Sequence, residues 1–212
     1  MESNNINSCL MWTTALYTPI DLRYVIDEND LKDTGVELDT HVTLIYAQGK
    51  RLPKTKFISD IQEILGPVEY EKFNQYCELN NNYTKVLEFF ELSFFENDSD
   101  YLILKLKKSA PMFNMVQKIN KGLSDKYNVK SDFASYTPHM TLAELNPGTA
   151  SKYLESEKLG LLLNDTVVDF EDIVVSYGSA NEPEDRQQFF LTQYKNVDRY
   201  FRLEHLKRET IT

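Results

Sequence analysis

Little in this chain is covalently cross-linked. Its only cysteines are Cys9 and Cys77, which make no disulfide framework and read as two reduced core thiols. Glycine and proline number seven each, so long flexible linkers are not expected. No apolar run approaches the roughly 20 residues that a membrane helix needs, so no membrane partner is expected. The opening stretch MESNNINSCLMW lacks a basic region ahead of an apolar one. No signal peptide is therefore expected, and the expected compartment is the cytoplasm.

Positive charge is also in deficit. Lys and Arg total 23 against 33 Asp and Glu, for a formal charge of -10. Tight non-specific contact with a phosphate backbone needs clustered cations, so no stable complex with long nucleic acid is expected. A small nucleotide in a local pocket stays open, because nearby residues outweigh net charge there. What the chain does have is apolar substance: 42% hydrophobic and 12% aromatic residues over 212 positions. That suffices for one good core or two small lobes, and is too much for a disordered chain.

The pattern alternates between strands and helices. CLMWTTALYT (9 to 18) reads as a strand stopped by Pro19. Residues 20 to 35 suit one or two short helices ending at Gly35. HVTLIYA is a strand, and PKTKFISDIQEILG a helix ending at Gly66. Residues 67 to 84 read as an irregular excursion. KVLEFFELSFF and DYLILKLKKS flank ENDSD as a hairpin. A helix over 110 to 127 has Met112, Met115, Val116, Ile119 and Leu123 on one face. The strand HMTLAEL, a helix over 149 to 163, and strands over 166 to 178 and 186 to 195 follow. The tail 196 to 212 reads as an accessory helix.

The order strand, helix, His-x-Thr strand, helix, strand therefore occurs twice, over about 9 to 95 and 100 to 180. The fold class expected is α+β: two pseudo-symmetric lobes of antiparallel sheet with helices outside, forming a single bilobal domain with lobe two reaching about 195. A pseudo-two-fold would bring the two His-x-Thr strands to a central cleft.

Only three histidines are present, and two of them open the same phrase: HVTL at 41 to 44 and HMTL at 139 to 142. In a strand, residues i and i+2 share a face. His41 with Thr43, and His139 with Thr141, would thus line a cleft while Val42, Leu44, Met140 and Leu142 face a core. Two imidazoles and two hydroxyls meet the needs of phosphodiester cleavage. A neutral imidazole takes a proton from water or a ribose 2'-OH, and an imidazolium protonates the departing oxygen. The hydroxyls donate to the phosphate oxygens, where charge develops. No metal or other cofactor is required. The competing metal reading would need a third ligand, such as Glu144 or Asp39, and no Cys cluster or His pair at helical spacing supports it. A structural histidine is the ordinary reading of one such motif, and the doubling tells against it.

The doubled motif resembles the 2H phosphoesterase, or LigT-like, superfamily, whose members carry two His-x-Thr/Ser motifs on pseudo-symmetric lobes. The resemblance spans about 9 to 195 and implies that His41, Thr43, His139 and Thr141 are catalytic. Motif spacing is longer than in compact members, with the excess at 67 to 84. Within the superfamily, HVTLIY and the acidic character look most like the phage phosphodiesterases that counter CBASS defence by cutting cyclic di- and trinucleotides. The substrate this implies is a small nucleotide, a cyclic oligonucleotide first, met in a host cytoplasm if the gene is a phage's. The alternatives are a 2',3'-cyclic phosphodiesterase, a 2'-5' RNA or oligoadenylate phosphodiesterase, and a non-catalytic nucleotide-binding sponge.

A nucleotide pocket also needs stacking surfaces and phosphate partners. Tyr17, Tyr136, Tyr177 and Lys50 are the candidate substrate-binding residues. Arg51 is a further cation after the first motif strand. Trp12 faces away from Tyr17 and reads as core. Tyr46, five after His41, points away from the motif face in a regular strand. His205 reads as solvent-exposed. Oligomeric state, base preference and which histidine is acid or base are not legible here.

Overall fold

The computed structural model describes residues 6–53, 56–78, 84–130, 136–179 and 187–190. They form two antiparallel sheets with helices, an α+β architecture. One sheet is built on β1 (Ile6–Tyr17), a regular strand flanked by β3 (His41–Ala47) and β8 (Val167–Ser179). The start of β8 also pairs with β4 (Thr84–Lys85), and its later half with β9 (Gln187–Phe190). The other sheet runs β2 (Leu31–Val36), β7 (His139–Leu145), β6 (Asp100–Leu106), β5 (Phe90–Glu96). The first sheet thus joins strands from both ends of the chain, so the sheets interleave in sequence.

Alternating patterns explain which faces are buried. In β1, Leu10 and Trp12 are fully buried, and Trp12 stacks on Phe170 at 4.3 Å and leans on Phe73 at 4.7 Å. On β7 and β6, Met140, Leu142, Leu102 and Leu104 are equally buried. These faces share one core with α1 (Phe57–Glu78) and α3 (Phe113–Tyr127). The expected apolar face of α3, Met115, Val116, Ile119 and Leu123, is buried. The two helices approach closely at Gly122, where an added Cβ would lie 2.7 Å from the Ile64 side chain. Membrane-crossing length and hydropathy are met by no helix among the described residues.

Four stretches differ from the sequence expectation. Residues 22 to 36 are two 3-10 turns and a strand. Asp21 and Asp27 accept from the backbone N–H two residues on, which caps each turn. Beyond them, pairing of Leu31 with Leu145 and Val36 with Ala143 draws the chain into β2, and Gly35 supplies the positive φ of 63°. Residues 67 to 78 are helical, not irregular. Gly66, at φ 72°, kinks α1, and Pro67 restarts it where its missing N–H costs nothing. Buried Phe73 anchors the new segment beneath Trp12. One helical turn, α2 (Val86–Phe89), precedes β5. The helix expected over 149 to 163 is split into α4 (Ser151–Leu154) and α5 (Glu157–Asp165), because Ser156 caps α5 by accepting from Leu159 N. The expected tail helix and His205 lie outside the described residues.

Candidate active site

The four motif residues sit where the sheets meet. β3 is an edge strand of the first sheet and lies close against β7 of the second. Two contacts tie them together. The Tyr136 hydroxyl donates to the Thr43 carbonyl at 2.6 Å. At the other end, the Thr14 hydroxyl lies 3.0 Å from both Thr40 Oγ1 and Met140 Sδ. Both contacts tie the stretch around His41 to the stretch around His139. His41 is also near enough to depress the pKa of His139.

Each histidine is held the same way. Nδ1 of His41 donates to the Asp39 carbonyl at 2.9 Å, and Nδ1 of His139 to the Thr137 carbonyl at 2.8 Å. A carbonyl only accepts, so this bond places the Nδ1 proton in both rings and leaves Nε2 for proton transfer. Their surroundings are not equal. Burial lowers the pKa of His139 from its ordinary 6.5, the Thr137 carbonyl opposes this, and His41 adds to the lowering. Phe95 of β5 meets the His139 ring edge-on at 4.8 Å. The arrangement can therefore hold one imidazole neutral beside another, with a threonine on each strand two residues on.

The strand register shows a feature that regular alternation hides. β3 pairs Thr43 with Met11 but Ile45 with Leu10, so Leu44 is an extra residue, a β-bulge. Cross-strand partners share a face, and His41, Thr43 and Tyr46 pair with Thr13, Met11 and Cys9, which alternate on one face of β1. Tyr46 thus returns to the motif face, contrary to the regular-strand expectation. β7 does the same: Thr141 pairs with Ile103 and Ala143 with Leu102, and Glu144 rejoins His139 and Thr141. The signal was present in sequence as HVTLIY and HMTLAE, where two buried residues in succession interrupt the alternation in both phrases. Lys105 is a further residue that the sequence did not single out. It pairs directly with His139 on the same face and makes an ion pair with Glu91 at 3.2 Å.

No family model matches the chain, and no curated protein matches it. Among solved structures, it is similar to Usb1 of Kluyveromyces marxianus with uridine monophosphate. Sequence identity is 11% and the TM-score 0.38, over 89% of this chain and 99% of that one.

The remaining candidates are dispersed. Tyr17 shares the Thr13 face of β1 by alternation, four residues beyond the partner of His41. Tyr136 lies beside the cleft, its hydroxyl donated to Thr43, and burial pushes that hydroxyl's pKa up. Tyr177 is not brought to the motif face. It pairs with Ser8, on the opposite face of β1, and is buried with its hydroxyl donated to the Leu52 carbonyl at 2.7 Å. Arg51 lies over its ring at 4.8 Å, in a hollow formed with Leu52 and Pro53. The Lys50 ammonium donates to the Tyr127 carbonyl at the C-terminal end of α3, where a cation suits the helix dipole. Glu144 accepts from Ser99 at 2.7 Å and more distantly from Tyr101. Among the described residues, no three His, Cys, Asp or Glu side chains group as a metal site would require.

Proposed function

We propose that the chain is a metal-independent phosphodiesterase acting on a small nucleotide, with cyclic di- and trinucleotides first among its substrates. The observation that carries this reading is that β3 and β7 lie against each other, with Nδ1 of His41 and of His139 each bonded to a carbonyl two residues earlier.

Nε2 of His139 takes the proton of the attacking hydroxyl, a water or a ribose 2'-OH, as the new O–P bond forms. Nε2–H of His41 gives a proton to the departing oxygen as the old P–O bond breaks. The lowered pKa of His139 supports this division, because a base must be neutral before the reaction. The hydroxyls of Thr43 and Thr141 donate to the non-bridging oxygens. Afterwards His139 is protonated and His41 neutral, and exchange with solvent restores both. A water nucleophile leaves a phosphomonoester, and a 2'-OH leaves a 2',3'-cyclic phosphate.

The test is a cleavage panel in excess EDTA with 3',3'-cyclic dinucleotides, a cyclic trinucleotide, a 2'-5' oligoadenylate and RNA ending in a 2',3'-cyclic phosphate. Cleavage of one class by the wild type, lost in both His41→Ala and His139→Ala, supports the reading and names the substrate. Binding without cleavage favours a sponge. Activity abolished by EDTA overturns the metal-independent mechanism.

A further inference from the structure

His41, Thr43, His139 and Thr141 are paired across their sheets with Thr13, Met11, Lys105 and Ile103, and of these partners only Lys105 is charged. We propose that Lys105 is the phosphate-binding cation of the cleft: its ammonium leaves Glu91 and takes a non-bridging oxygen of the phosphate beside His139. The proposal rests on the reading of the cleft as a nucleotide site.

Charge is the first support. A phosphodiester is an anion, and this chain carries a formal charge of -10, so the field of the whole protein opposes its ligand. A cation inside the cleft offsets that field where it matters. The hydroxyls of Thr43 and Thr141 donate to phosphate oxygens but are neutral. A hydrogen bond from an ammonium to an anionic oxygen is roughly twice as strong as a neutral one.

Position is the second. Directly opposed residues of an antiparallel pair have Cα atoms about 4.5–5.5 Å apart and side chains on one face. Lys105 and His139 stand in that relation. The described strands hold two other lysines, and both are engaged away from the motif residues. Lys32 donates to Ser99 and to the Asp98 carbonyl, and Lys85 pairs with Asp165.

The present partner of Lys105 is the third. Glu91 is its direct neighbour on β5, with 3.2 Å between ammonium and carboxylate. The two side chains are 37% and 49% exposed, and an ion pair wetted to that degree is weak. The lysine stem is flexible, and its ammonium is a compact charge with three rotatable donors. Exchanging a carboxylate oxygen for a phosphate oxygen leaves that charge neutralised, so the swing from β5 toward β7 has little to overcome. Glu91 is then a resting partner, which the phosphate displaces.

The experiment compares adenosine 5'-monophosphate with adenosine, which lacks only the phosphate, by calorimetric titration of the full chain. The wild type is expected to bind the nucleotide about tenfold or more tightly than the nucleoside. Lys105→Met keeps the stem and removes the charge. It should erase most of that advantage without changing adenosine affinity or the melting temperature, and Lys105→Arg should retain it. Glu91→Gln releases the ammonium and should strengthen nucleotide binding a few-fold. The proposal is overturned if the wild type shows no phosphate advantage, if the advantage survives in Lys105→Met, or if Glu91→Gln weakens the nucleotide as Lys105→Met does, the mark of a pair that serves only the sheet. The cleavage panel fails separately. A phosphate advantage through Lys105 with nothing cleaved would remove the phosphodiesterase reading and keep the phosphate site. Cleavage by Lys105→Met at the kcat/KM of the wild type would do the reverse.

Discussion

The Tyr136 hydroxyl donates to the Thr43 carbonyl at 2.6 Å, so the segment leading into the second motif is bonded to the backbone of the first. β3 is an edge strand, and an edge leaves carbonyls without a sheet neighbour. Tyr136 covers one, and Asn120 covers the next by donating to the Leu44 carbonyl at 2.8 Å. Both bonds hold the bulge on which the motif geometry depends.

Tyr136→Phe removes one hydroxyl and nothing else. The expected loss of stability is about 1 kcal/mol, the net worth of a typical hydrogen bond. A displaced Thr43 should lower kcat about tenfold with KM nearly unchanged, because alignment rather than affinity is disturbed. Steady-state kinetics on the substrate that the wild type cleaves would check this. A raised KM at constant kcat would instead assign Tyr136 to substrate binding.

On the proposed mechanism, His139 governs the acid side of the pH profile. Its pKa is lowered chiefly by burial, so the base stays neutral to below pH 6.5 and activity should fall only under that value. Stability has a linked sign. Between the lowered pKa and 6.5 the unfolded chain binds a proton that the folded one refuses, so His139 makes the fold less stable as pH falls through that window. His139→Gln should flatten this part of a denaturation-against-pH curve and reduce cleavage by about 10²–10⁴-fold. An acid limb centred above 6.5 would contradict the assignment of His139 as base.

Trp12 separates core volume from hydrogen bonding. Its indole nitrogen is buried with no hydrogen-bond partner among the described residues. Trp12→Ala should cost about 3–5 kcal/mol through the cavity it leaves. Trp12→Phe also loses volume but removes a buried unsatisfied N–H, a penalty of about 1–3 kcal/mol. Its net cost in urea denaturation should therefore be well under half that of the alanine variant.

Gly122 marks the closest approach of α3 to α1. An alanine Cβ would meet three Ile64 atoms at 2.7, 2.8 and 2.9 Å. Overpacking of this kind costs about 1–3 kcal/mol, against a gain of about 1 kcal/mol in helix propensity. Gly122→Ala should lower the melting temperature, and the double variant with Ile64→Val should recover part of it.

The sequence by itself determined most of the elements and carries the two His-x-Thr phrases on which the proposed chemistry rests. Alternation from His41 to Leu44 and from His139 to Leu142, with Val42, Leu44, Met140 and Leu142 buried, could be read because a strand's period of two is a local property. The face of α3 was legible for the same reason, at a period of 3.6. Helical periodicity misled at 31 to 36, where pairing with β7 was stronger than local pattern.

Only the tertiary structure decided what depends on partners distant in sequence. Tyr177 went to the far face because β8 aligns it with Ser8, and Lys50 was drawn to the end of α3. Tyr46 and Glu144 joined the motif face because register with β1 and β6 forces one residue of each motif strand out of the ladder. A bulge is a mismatch between two strands, so it exists only once both are in place.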